Sequence, residues 1–504
     1  MKLNPISALV CLSFGSLAGA AFALPISQYQ STPGDTAELY ISGATAQENG
    51  LRNTLARMCT VGSLDIYQDA SSPLQQAAFC TINKAVVTGA IPASVTKMVV
   101  YKSGVGGSGN GVGPVANASQ LAFVNMALLK ASATGAPAVS YLGTGTNVIA
   151  VAAVAPNAPD TIGIPAYTRT NIVLPASTSP AFTQSVVTEA GFSDVEPALL
   201  GASSLQTSRL TIVAPNVLTF GVPVTVVARN ALQAAQGLPV GDETELSMPS
   251  LRLDLIRSLY TGNITNWSQL GATIPGVGAD PSLDTIYLAT RVETSGTQRS
   301  FNVYVTGSAC TANVQAVLLN NSSAADCAAA SPAGTVFAGS SSSNVTTCLA
   351  GHQGRGRGAA GVLSMEFVPG TASGGSGYRY IKIDDYAPTT VNVVNGDYDF
   401  WVEPTFQYRQ VAVSAVPALG GDKKIIADRI VQQLGTEAVI SSLNNSFVQT
   451  WGRSGLLAKP SGTNAPNVIV PRTTAAAVLA NPTNAFTKSP SGQPVNCQPG
   501  VFFN

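Results

Sequence analysis

Arg291-Val292-Glu293-Thr294-Ser295-Gly296-Thr297 lies between an aliphatic run, Ile286-Tyr287-Leu288-Ala289, and a stretch carrying Phe301, Tyr304 and Val305 at helical spacing. The first run predicts a strand and the second a helix. Ser295, Gly296 and Thr297 then occupy the first turn of that helix, where unpaired N–H groups and two hydroxyls converge on an anion. Arg291 adds a planar charged fork suited to a tetrahedral oxyanion. In isolation the same motif also reads as an N-capped surface helix. Ser-Gly-Thr recurs at Ser461-Gly462-Thr463 without an arginine four residues before it.

Working outward, β-branched runs alternate with amphipathic helical stretches, which predicts an α/β architecture. Glu38-Leu39-Tyr40-Ile41 reads as a strand, followed by a Ser42-Gly43-Ala44-Thr45 turn and a helix with Leu51, Leu55 and Met58 on one face. Lys97 to Tyr101 reads as a strand entering a glycine-rich loop, Gly104 to Gly113. Val224 to Ala228 reads as another strand, Leu251 to Tyr260 as a helix stopped at Gly262, and Asp422 as the cap of a long helix through Ile426, Ile430 and Leu434. Gly104 to Gly109 matches G-x-G-x-x-G, but Asn110-Gly111-Val112-Gly113-Pro114 does not read as a helix and no acid follows at dinucleotide-site spacing. A plain loop and a backbone cradle for an anion both remain. Thr45 and Ala46 form a second strand-to-helix junction, where ordinary capping is the competing reading. Asp194, in Gly191-Phe192-Ser193-Asp194-Val195-Glu196-Pro197, also reads as a solvated turn acid.

The chain has 504 residues, of which 45% are hydrophobic, enough for a sizeable core and against wholesale disorder. Charged residues are only 10%, with Lys+Arg 26 balancing Asp+Glu 26, so no net field favours nucleic acid or an anionic membrane. Residues 1–23 read as a secretory signal peptide: Lys2, an apolar run from Ile6 to Phe22, and small residues around Ala21-Phe22-Ala23. Without Cys11, six cysteines remain, which suggests three disulfides in an oxidising compartment. Nearness in sequence favours Cys59–Cys80, Cys310–Cys327 and Cys348–Cys497. A metal site is disfavoured, because no C-x-x-C occurs and His352 is the only histidine. Three segments read as additions: about 114–190, the Ser/Ala-rich stretch 307–358, and the tail after Lys459.

Taken in order, these pieces resemble the phosphate-binding periplasmic protein family, the substrate-binding components of phosphate ABC transporters. The matching series is Ser-Gly-Ala-Thr after the first strand, the Gly/Ser loop, Phe-Ser-Asp, Pro-Val-Thr-Val-Val, Leu259 to Trp267, and Arg-x-x-x-Ser-Gly-Thr. The resemblance implies a two-lobed periplasmic-binding-protein fold (type II), with insertions, a C-terminal extension and the ligand cleft between lobes. Residues 24–222 and 395–504 would form lobe 1 and residues 223–394 lobe 2. It implies a phosphate site of Thr45, Ala46, Ser108 (chosen over Ser103), Asp194, Arg291, Glu293, Ser295, Gly296 and Thr297. The function so implied is an exported, periplasmic or secreted monomer that captures inorganic phosphate for an inner-membrane ABC permease, with no metal or other cofactor and no catalysis. A secreted scaffold or adhesin reusing the fold is the alternative, and a phosphatase is disfavoured because one histidine cannot supply a metal cluster.

Overall fold

The structure, a computed structural model, describes residues 24–30, 34–69, 74–89, 91–133, 142–149, 167–172, 183–307, 317–319, 322–369, 377–445, 447–461 and 470–503. The leader at 1–23 and Cys310 lie outside the described residues. Strand β1 (Thr36–Gly43) is buried along nearly its whole length, as a central parallel strand covered on both faces should be. It pairs in parallel with β2 (Lys97–Ser103) on one side and β3 (Ala190–Ser193) on the other. Helix α1 (Glu48–Met58) follows β1 and buries Leu51, Leu55 and Met58, while α2 (Gly107–Asn117) follows β2. These strands centre a nine-stranded sheet, in which Thr405–Arg409 pairs antiparallel with β3. Leu142–Ile149 and Tyr167–Ile172, from the segment read as an insertion, extend its far edge.

A second sheet of five strands holds β4 (Tyr287–Arg291) and β5 (Val336–Gly339), paired in parallel. Helix α3 (Gly296–Thr306) follows β4, and α4 (Ser342–Gly354) follows β5. Asn216–Gly221, flanked by Leu363–Ser364, Trp401–Val402 and Leu456–Ala458, runs on into Pro223–Thr225 of the second sheet. The result is a two-lobed α/β fold. The carboxyl ends of β1 to β3 meet those of β4 and β5 at a seam, the place where open α/β sheets put their ligands.

Several sequence expectations are corrected. The glycine-rich segment is not an extended loop, since α2 begins at Gly107 and runs through Pro114. Pro114 has no N–H for Asn110 O, and the Ser42 hydroxyl of β1 donates to that carbonyl instead, at 2.7 Å. The run from Val224 stops as a strand at Thr225, and Val226–Ala235 is a helix burying Ala228, Ala231 and Leu232 at helical spacing. Gly420, not Asp422, holds the N-cap position of Gly421–Gly435; Asp422 lies in its first turn. Cys59–Cys80 is bonded as expected, but Cys327 bonds Cys348, because α4 packs Cys348 against the helix Ala324–Ala328. Cys348 is therefore not the partner of Cys497, which is itself disulfide-bonded.

Four glycines and a proline make α2 a poor helix by propensity, at roughly 1 kcal/mol per glycine. What offsets this is closeness to the sheet. A Cβ on Gly111 would strike Phe192 O and meet Gly43 Cα at 3.1 Å. Gly43 itself sits at φ +106°, where a side chain is strained. Helix backbone thus rests directly on strand backbone. We expect Gly111→Ala to destabilise the fold by about 3 kcal/mol or more. Gly113→Ala, where a Cβ meets nothing within 4 Å, should stabilise it by about 0.5–1 kcal/mol. Urea denaturation of the two variants measures the contrast; equal effects would refute the close-contact account.

Candidate anion site at the lobe seam

Four helix N-termini approach the seam, and side chains from both lobes fill it. Arg291, the last residue of β4, is 1% exposed. Its Nε donates to Gly339 O at 3.1 Å, Nη1 to Ser342 Oγ at 2.8 Å and Nη2 to Ser340 O at 3.1 Å. Three of the five guanidinium N–H groups are so engaged, which leaves one on each terminal nitrogen. Burial pushes the guanidinium down to about 10, opposed by Asp194, and leaves it charged at neutral pH.

Asp194 follows β3 and lies buried against α3. Its Oδ2 accepts from Thr297 Oγ1 at 2.7 Å, and its backbone N–H donates to Ser108 Oγ at 3.2 Å. Oδ1 is buried and accepts no hydrogen bond among the described residues. Burial pushes the Asp194 carboxyl up, while the Thr297 hydroxyl and then the Arg291 charge pull it back. Gly296 has no room for a side chain, since a Cβ would meet Ser108 Oγ at 2.5 Å and Asp194 Cβ at 2.9 Å. Ser295 caps α3 by accepting from Gln298 N–H. Across the seam, Gly109 N–H of α2 donates to Thr294 O at 2.9 Å.

The structure therefore brings Ser108, Asp194, Arg291, Ser295, Gly296 and Thr297 together. Ser103 is elsewhere engaged, accepting from Gln75 Nε2. Thr45 reaches the seam through a 3.4 Å contact between its Oγ1 and Ser342 Oγ. Ala46 is met from the other lobe by Ser364 Oγ, which donates to its carbonyl at 3.1 Å. Glu293 is not brought to Asp194 or Arg291; it forms an ion pair with Arg299 at 3.1 Å.

Three buried polar residues at or behind the seam escape the sequence reading. Ser342 sits in the Ser/Ala-rich stretch set aside as an addition, yet Val345, Cys348, Leu349 and His352 carry the helical spacing that marks α4. Lys102 is hidden in an ordinary strand run. Glu366 accepts from Asn49 and Gly50 N–H at the start of α1, at 3.2 and 3.1 Å, and burial pushes it up to about 8. A cavity of about 130 Å³ beside Thr45 is lined by Asn49, Arg52, Ser343 and Phe367. A larger one, about 220 Å³, lies against Tyr304, Trp401 and Lys488 and shares no residue with this cluster.

No known family's sequence profile and no curated protein matches the chain. Solved structures give distant likenesses. A Clostridium perfringens protein, assigned as a phosphate ABC transporter substrate-binding protein and crystallised with phosphate, is 18% identical over 51% of this chain and 77% of its own, at TM-score 0.33. An ABC-type phosphate transport receptor from Vibrio cholerae is 17% identical over 50% of this chain and 79% of its own, at TM-score 0.30. PstS from Borrelia burgdorferi is 12% identical over 53% of this chain and 79% of its own, at TM-score 0.26. Likeness at this level is too distant to transfer a function, and the site is read from its own residues.

The raised Asp194 carboxyl has a consequence for stability. An acid whose folded pKa lies above its unfolded value opposes folding once pH exceeds the unfolded value, and below it the penalty vanishes. Asp194→Asn keeps an acceptor for Thr297 and removes the buried charge. The ligand-free variant should unfold a few degrees higher than the unmutated protein at pH 7, with no gain below about pH 4. Thermal scans at both pH values test this; a lower midpoint at pH 7 would show that the charge is net stabilising.

Proposed function

We propose that the chain is an exported phosphate-binding protein that captures inorganic phosphate at the lobe seam and hands it to an ABC permease. The observation that carries this reading is the pairing of opposite requirements in one buried place. Arg291 retains two N–H donors, and beside it Asp194 retains a carboxylate oxygen with no partner. A fully ionised oxyanion has no hydrogen to give that oxygen, whereas phosphate near neutral pH does. The N-termini of α2 and α3, at Gly107–Ser108 and Gly296–Thr297, supply donors suited to the remaining oxygens. Thr45 and Ala46, at the junction leading into α1, would add donors from the first lobe, whereas Glu293, paired with Arg299, would border the ligand rather than hold it. No described helix is long and apolar enough to cross a membrane. Disulfides suit an oxidising compartment, in keeping with export.

Two measurements test the reading. Arg291→Ala should weaken phosphate binding well over tenfold, the loss of a charge-assisted contact worth ~2–5 kcal/mol; near-unmutated affinity by calorimetry would sink the assignment. Phosphate should also outcompete sulfate by one or more orders of magnitude, because sulfate leaves the Asp194 charge unpaired at ~1–3 kcal/mol or more. Equal affinity for the two anions would refute the role of Asp194. The Thr297–Asp194 pair also resembles a hydroxyl nucleophile beside a base. An aryl phosphate should nonetheless release no phenol, and steady release by pure protein would make the chain a phosphatase.

A further inference from the structure

Lys102, near the end of β2, is 4% exposed. Its Nζ donates to Gly43 O at 2.9 Å and to Ser103 O at 3.3 Å. Those carbonyls belong to the last residues of β1 and β2, from which the chain leaves toward Thr45 and toward Ser108. No carboxylate among the described residues lies within ion-pair distance of this ammonium. A buried ammonium held only by neutral carbonyls is costly, so its retention calls for a compensating anion. The charged groups that act on it are Glu48 and Arg52 of α1, paired to each other at 2.9 Å, and Asp194 after β3. Glu366, beside the start of α1, is the remaining titratable group facing that helix end.

We propose that Lys102 is a second cation of the phosphate site, fixing the ends of β1 and β2 and matching the site to a divalent tetrahedral oxyanion. This rests on the phosphate reading above. Arg291 and Lys102 together oppose the negative charge of monohydrogen phosphate, and Asp194 accepts the hydrogen bond from its one P–OH. Burial pushes the Lys102 ammonium down to about 8. Its charge is present below that pH and lost above it. Affinity for inorganic phosphate therefore rises with pH as the dianion forms and falls again as Lys102 deprotonates.

Calorimetric titration of inorganic phosphate into the full chain at about pH 6, 7.5 and 9.5 tests this. Binding should be tightest at the middle value and roughly tenfold weaker at the highest. Lys102→Met should bind roughly tenfold weaker at the middle value and lose nothing further on the alkaline side. The proposal is overturned if Lys102→Met binds as the unmutated protein does, or keeps the alkaline loss. Should that variant fail to fold by circular dichroism, Glu366→Gln decides: an alkaline loss that persists supports Lys102, and one that disappears, or is absent from the start, overturns it. Loss of binding in Arg291→Ala beside full binding in Lys102→Met would refute Lys102 alone. No phosphate binding by the unmutated protein at any of these pH values would refute the phosphate reading itself.

Discussion

Backbone-to-backbone contact among Gly43, Gly111 and Gly191 is the constraint on which the seam depends. A Cβ on Gly43 or Gly111 would strike Phe192 O, and one on Gly191 would strike Gly111 O. With no side chains between them, α2 lies against the ends of β1 and β3 at a distance ordinary helix–sheet packing does not reach. Gln407 Nε2 fastens the contact by donating to Gly111 O at 2.6 Å. Because α2 is pinned there, its first turn projects past the sheet edge, which puts Ser108 against Asp194 and Gly109 against Thr294 of the other lobe. The helix tolerates poor propensity and an internal proline because tertiary contact, not local preference, decides its conformation.

The same contact explains how much was legible in the sequence. Strong local signals read correctly: the β1 run, the Leu51–Leu55–Met58 face of α1, and the strand–turn–helix around Arg291. A helix built of glycines has no hydrophobic period of its own to display, so α2 looked like a loop. Val226–Ala235 was missed for the opposite reason, since its β-branched start mimics a strand and only Ala228, Ala231 and Leu232 reveal the turn spacing. Arg291, Asp194 and Ser108 could be brought together on paper through motif order. Lys102 and Glu366 could not, because their importance comes from where tertiary packing buries them, and composition carries no record of that.

The tail after Lys459, read as an addition, is tied into the crossing between lobes. Glu403 is fully buried, and its carboxylate accepts from Thr487 Oγ1 at 2.6 Å, Lys488 N–H at 3.0 Å and the Ser489 hydroxyl, and pairs with Lys459 at 3.0 Å. Asn496 donates its N–H and side-chain amide to Glu196, two residues beyond Asp194, and accepts from Glu403 N–H at 2.7 Å. Two carboxylates that would be expensive if left unpaired are thereby satisfied by the tail. Its removal would expose them at the strand that returns to the first sheet, so the extension is part of the framework behind the seam.

A reciprocal arrangement closes the seam from both sides. Asp194, at the end of a first-lobe strand, sits on the opening turn of α3 in the second lobe. Glu366, which follows the second lobe's Ala359–Gly361, sits on the opening turn of α1 in the first. Each carboxylate meets the positive end of a helix dipole and its unpaired N–H groups, a favourable setting for an anion. Burial nonetheless pushes both carboxyls up, so desolvation outweighs the helix ends and hydrogen bonds that hold them ionised. The two differ in one respect. Both Glu366 oxygens are engaged by α1, whereas Asp194 keeps one oxygen without a partner, beside an arginine with two donors in hand. Glu366 is thus a completed interlobe tie, and Asp194 an incomplete one. At α3 an arginine with two donors in hand and a carboxylate oxygen without a partner stand side by side, a pairing that a small oxyanion carrying its own proton would complete.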